Sequence, residues 1–258
     1  MDGPSAAVAL VLAETAAGGT ALLWLGRVWG SVRRGFFVLT EGTTLACALL
    51  ATLAAASATT SPVTGAARMT VILAAATSGL IGMSLVALVL RLDEPGRALG
   101  LLAVPASGAM LVGFGRVSGE AFVPALLQLL AGAAFMGAVT DGLLLGHWYL
   151  VDRGLARGHI RRFAALLIAA VVLEGVAVLG FGGDPASAEG FSPLLGISGL
   201  ATWLSLGMVA CTALIAVLIR ASLRSDRSRA VQAATGFFYL AVITAFTAEL
   251  AAKVGFLE

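Results

Sequence analysis

Charge is what this sequence has least of. Of 258 residues only 12% are Asp, Glu, Lys or Arg, 59% are hydrophobic, and the mean hydropathy is +1.00. A soluble domain carries roughly 25% charged residues. This much apolar surface cannot be hidden in one globular core, so the solvent the chain is written for is lipid. A net charge of +2 is too small to suggest nucleic acid as a partner. Cysteine and histidine are scarce, two of each. Cys47 and Cys211 sit far apart inside apolar runs, in no CxxC or metal spacing, and read as small hydrophobes. The sequence has no P-loop, no GxSxG and no HExxH. That leaves nothing to support nucleotide binding, iron–sulfur ligation or hydrolysis. Met1 to Ala13 contains Asp2 and no base, so the positive n-region expected of a secretory leader is missing. The alternating polarity of a membrane barrel is also missing, so the spans must be helices.

What is present is a set of eight apolar segments, near 6–26, 36–57, 69–90, 98–115, 121–150, 163–182, 194–219 and 231–254. Each approaches the ~20 residues that a helical span needs. The expected fold is therefore an all-α polytopic membrane protein, one transmembrane domain over 1–258. The fourth segment is short and carries Pro105, Gly108, Gly113 and Gly115, which suggests a kinked or irregular span. Thirteen of the sixteen Lys and Arg residues fall in the turns after segments one, three, five and seven. The positive-inside rule then puts those turns in the cytoplasm and both termini outside, in a bacterial-type inner membrane. The turn between segments six and seven holds Asp184 and Glu189 and no base, in agreement.

The stretch from Ala131 to Phe163 is the richest in chemistry. It holds Asp141, both histidines (His147, His159), Trp148, Tyr149 and four arginines, Arg153, Arg157, Arg161 and Arg162. Its order is echoed near the N-terminus. Glu14 precedes Arg33-Arg34 by nineteen residues and Asp141 precedes Arg161-Arg162 by twenty, each with a Trp between and a Phe after. Such an echo suggests a parallel duplication, with halves at 1–116 and 117–258, although membrane sequences also resemble each other by composition alone. The arginines are expected at the headgroup level, against anionic lipid or a partner.

Five acids lie inside the segments: Glu14, Glu41, Asp141, Glu174 and Glu249. A charge in the bilayer costs several kcal/mol or more, so such groups face a polar cavity, a partner or a cofactor. By residue count Glu14, Glu174 and Glu249 share one depth, some 8–12 Å below the outer surface. They are expected to line one proton-sharing cavity there. Glu249 and Lys253 are i, i+4 and can also simply neutralise each other near the surface. Glu41 can accept from Arg33 or Arg34 at a helix start. Asp141 with His147 and Tyr149 is expected to form a separate inner polar cluster. The two histidines are twelve residues apart across one turn, with no second pair, so haem is disfavoured. His147, Trp148 and Tyr149 also suit an interfacial belt.

The first segment reads LVLAETAAGGTALLWLG: a Glu in an apolar helix, then Gly18-Gly19, then an aromatic. It resembles the opening helix of the quinol-interacting membrane subunits of the polysulfide reductase type. That resemblance implies two four-helix bundles without haem and a quinone bound near the outer face. It also implies a subunit that anchors redox partners and passes electrons or protons. Glu14, Gly18 and Gly19 would form an edge of the quinone site. Two other readings stay open: a proton-coupled secondary transporter and a purely structural membrane subunit packed through small residues.

Overall fold

The structure, a computed structural model, describes residues 3–59, 64–152, 154–181, 200–225, 229–254 and 256. Eight helices follow one another: α1 Gly3–Leu25, α2 Arg34–Ser57, α3 Gly65–Val89, α4 Asp93–Val117, α5 Phe122–Val151, α6 Gly158–Phe181, α7 Leu200–Ser222 and α8 Ala230–Ala252. All eight are long and apolar enough to cross a membrane. Each satisfies its own backbone hydrogen bonds internally, which lipid demands. The protein is an integral membrane protein of all-α, polytopic architecture.

The fourth span differs from expectation. It is a continuous helix of 25 residues, longer than 98–115. Its first turn holds Asp93, Glu94 and Pro95 and its last turn holds Arg116, so both ends suit the helix dipole. Pro105 is accommodated within it. Gly96 and Gly100 are not breaks but fitting points. A Cβ on Gly96 would meet Leu88 side-chain atoms at 2.8 Å, and one on Gly100 would lie 2.0 Å from the Trp24 ring. The sixth helix also starts earlier than 163, so Arg161 closes its first turn and Arg162 opens the second. The acidic turn with Asp184 and Glu189, and Arg153 and Arg227, lie outside the described residues.

Helices α1 to α4 close into one ring through α1·α2, α2·α3, α3·α4 and α1·α4. Helices α5 to α8 close into a second through the corresponding pairs. The two rings meet along α1·α5, flanked by α4·α5 and α1·α8. The principal contacts therefore map onto themselves when the first four helices are exchanged with the last four. Helices α1 and α5 are the most enclosed of the eight and α7 the most open to lipid. Small residues make the seam. A Cβ on Gly18 would lie 1.7 Å from the Ala133 carbonyl oxygen, and one on Gly137 would lie 2.3 Å from Gly18 backbone. Close backbone approach of this kind drives helix association where lipid offers no hydrophobic contrast.

Consecutive spans run in opposite directions, so both termini share one end of the bundle, here called the terminal end. The turns after α1, α3, α5 and α7 share the other, the arginine end. Ion pairs and hydrogen bonds stitch that end together. Arg33 Nε lies 3.1 Å from Asp152 Oδ2, tying the α1–α2 turn to the end of α5. Arg34 Nε lies 3.4 Å from Asp93 Oδ1, tying α2 to α4.

Candidate functional site

The four-membered ionic cluster begins with Lys253, the residue that ends α8. Its ammonium lies 3.0 Å from Glu14 Oε1 on α1 and 3.5 Å from Glu249 Oε2 one turn back on α8. Glu174, on α6, is close enough to both Glu14 and Glu249 for its charge to act on each. Sequence depth alone brought the three acids to one level, and the fold brings them to one place. All four residues are buried, at 0 to 2% exposure. The i, i+4 spacing of Glu249 and Lys253 reads in sequence as a surface pair, yet the lysine is buried. Its nearer partner is Glu14, more than two hundred residues away in the chain, and no local pattern announces that contact.

Glu14 stands deeper than expected. The first helix starts at residue 3 rather than 6, so Glu14 has eleven residues of α1 on either side. Gly132 on α5 makes its seat, for a Cβ there would lie 2.6 Å from Glu14 Oε1. Above the cluster, at the terminal end, sits a half-buried carboxyl, Glu120, in the α4–α5 connection. Gln128 Nε2 donates to Glu120 Oε2 at 3.2 Å and also to the Phe181 carbonyl. Burial pushes the Glu120 carboxyl above its ordinary range, while the Lys253 charge and the Gln128 amide pull it down. Lys253 also lies over the Phe256 ring, 5.2 Å from its centroid. The cluster is thus roofed by Glu120, Gln128 and Phe256.

Gly18 and Gly19 do not flank open space beside these acids, as the quinone reading expected. Gly18 is filled by the α5 backbone. Gly19 lies farther along α1, where a Cβ would meet Thr44 Cγ2 at 2.7 Å and Asp141 Oδ1 at 3.3 Å. Both glycines serve helix contact. Three clefts among the described residues lie at the arginine end.

The inner cluster of Asp141, His147 and Tyr149 is not assembled. Asp141 is fully buried near Gly19, with neither carboxyl oxygen hydrogen-bonded. His147 is exposed on α5, because a step of six residues carries it round to another face. Tyr149 is buried and donates its hydroxyl proton to the Ala156 carbonyl, closing the α5–α6 turn. Trp148 packs on Gly35 of α2, so only His147 of the three suits an interfacial belt.

Glu41 is not held by Arg33 or Arg34, which pair with Asp152 and Asp93. It is buried at the centre of the first ring. Trp24 Nε1 donates to Glu41 Oε1 at 3.0 Å, and Ser84 Oγ donates to the same oxygen at 2.7 Å. Trp24, the tryptophan between Glu14 and Arg33, bonds this acid, a role that its place in the sequence echo does not announce. Two of the arginines after α5 reach carbonyls beyond α7. Arg157 donates to the Ser225 carbonyl at 3.3 Å and Arg161 to the Leu223 carbonyl at 3.1 Å. They sit on carbonyls just past the end of α7, where a cation is favoured. Arg162 is exposed.

The first-ring and second-ring acids are stacked rather than matched. Glu14 lies against Gly132, nine residues before Asp141 on α5, which is about 13 Å at 1.5 Å per residue. The echo that aligned Glu14 with Asp141 therefore does not reflect equal height in the two rings. Among the described residues no three His, Cys, Asp or Glu side chains group as metal ligands. Compared with protein-family models, with curated proteins and with solved structures, the chain finds no match.

Proposed function

We propose that this membrane protein handles protons, and that the Glu14–Glu174–Glu249–Lys253 cluster is where it holds them. The observation that carries this is a charge balance: three carboxyls and one ammonium share a site closed to solvent. If every carboxyl were ionised, two negative charges would stand uncompensated in a low dielectric. Each such charge costs several kcal/mol even after relaxation. The neutral arrangement is one carboxylate beside the ammonium and two carboxyls carrying protons. A site that stores two protons and holds a third exchangeable position suits proton-coupled work. Glu120, half-buried and within reach of the Lys253 charge, is the group through which the store would meet the terminal end.

The narrower reading is a subunit of a redox complex in which quinol supplies the protons. The two-ring architecture agrees with the resemblance that suggested it. In that form a quinone would approach from lipid rather than enter beside Gly18, where the helices are in contact. The transporter reading uses the same store, with a solute in place of quinol. Copurification separates the two, since redox partners and quinone would accompany only the first.

The store itself is tested by infrared spectroscopy of the protein in vesicles at neutral pH. A carboxylic-acid carbonyl band that weakens in Glu174→Gln, and that Glu120→Gln makes slower to shift on transfer to deuterated water, is the expected result. A wild-type spectrum with carboxylate bands alone would remove the reading.

A further inference from the structure

The cluster does not hold the last buried carboxyl met along α1. Follow that helix from the terminal end. Glu14 comes first, with the Lys253 ammonium 3.0 Å away. Five residues on is Gly19, which faces Asp141 Oδ1. Five more bring Trp24, whose Nε1 is bonded to Glu41 Oε1. At ~1.5 Å per residue the contact points on α1 are each about 7 Å apart, while along α5 the Glu14 contact at Gly132 stands about 13 Å from Asp141. The three acids come from three different helices, α1, α5 and α2. Each is at most 1% exposed.

Asp141 shows what the arrangement is for. Among the described residues it has no hydrogen bond on either oxygen. A purely structural carboxyl would be expected to have a donor, since an unpaired buried charge is among the costliest features a fold can carry. A carboxyl that alternates between holding and releasing a proton needs no permanent partner. The hydroxyls of Thr20, Thr40 and Thr140, each next in sequence to Gly19, Glu41 or Asp141, are likewise buried without a partner. Around Glu41 the bonding already asks for a proton. Ser84 Oγ lies 2.7 Å from Glu41 Oε1 and 2.8 Å from the Gly96 carbonyl. Its one proton serves one of these contacts, and a proton on Glu41 satisfies the other.

We infer that Glu14, Asp141 and Glu41 form a proton relay across the membrane along α1, with Asp141 as its obligatory middle station. This rests on the proton-store reading and extends it from one end of the bundle to the other. In each step an O–H bond of one carboxyl breaks as an O–H bond forms on the next carboxylate. Threonine hydroxyls and transient water carry the proton between them, and the transmembrane proton gradient supplies the drive. The backbone contact of Gly18 with Ala133 and Gly137 lies between Glu14 and Asp141. That makes the first step the slow one, requiring α1 and α5 to loosen.

The experiment uses the full chain in liposomes with an internal pH dye, a potassium gradient and valinomycin to set the potential. Wild type is expected to acidify the interior well above protein-free liposomes. Asp141→Asn should bring the rate down at least tenfold, to the liposome baseline. Its melting temperature and the carboxylic-acid band lost in Glu174→Gln should be retained. Asp141→Glu should restore part of the rate, since it keeps the titrating group. Wild-type flux at baseline, or undiminished flux in Asp141→Asn, overturns the relay. If the Glu174-dependent band persists in that case, the relay fails alone. If that band is also absent from wild type, the proton store fails with it.

Discussion

Lys253 holds three carboxyls in place, and among the described residues it is the one cation at the cluster. Lys253→Met would leave the acids without a counter-charge. Removing one partner of a buried pair costs about 3 to 5 kcal/mol. The variant should melt markedly lower in detergent, and adding Glu14→Gln should recover part of the loss. Additive losses in the double variant would mean that the two residues do not interact. Glu41 should respond to shape more than to charge. Glu41→Gln keeps an oxygen for Trp24 Nε1 and Ser84 Oγ to reach, at a cost of roughly 1 kcal/mol. Glu41→Leu strands the Trp24 donor, at roughly 1–3 kcal/mol, while Ser84 Oγ keeps the Gly96 carbonyl. Equal melting of the two variants would show that those hydrogen bonds contribute nothing.

Helices were the most readable scale. Their number and near-positions followed from apolar run length, because lipid imposes one solution on a spanning backbone. Their ends were less readable. Apolarity marked where lipid would be, not where helical hydrogen bonds stop, so the polar starts of α4 at Asp93 and of α6 at Gly158 were missed. Glycines misled for a related reason. In a water-soluble helix Gly signals a break, whereas here Gly18, Gly100, Gly132 and Gly137 mark where another backbone, a ring or a carboxyl fits. The seam should therefore be sensitive to one methyl group. A Cβ on Gly18 would lie 1.7 Å from the Ala133 carbonyl oxygen, so Gly18→Ala must push α1 from α5. Overpacking of this kind costs about 1–3 kcal/mol, and thermal melting measures it. Gly79, with nothing within 4 Å, is the control and should tolerate alanine.

At the scale of the whole molecule, the two rings and their seam bring together acids that the sequence could place only by depth. That depth was legible, since counting residues from span ends put Glu14, Glu174 and Glu249 on one level. Lys253 as a member, Trp24 as a donor and the isolation of Asp141 depend on which helix faces which, and no local pattern encodes that. The arginine-rich end is expected to face the cytoplasm. With Cys47 and Cys211 replaced, a cysteine at Leu155 should resist an impermeant maleimide added to intact cells, and one at Gly119 should react. The reverse pattern would invert the protein. The central claim, that the buried acids store protons, is tested most directly by counting them. Unfolding the protein in unbuffered detergent at neutral pH should release at least two protons per molecule, since three carboxyls share one ammonium. Glu174→Gln should release one fewer. Release of none from wild type, with no difference in the variant, would contradict the account.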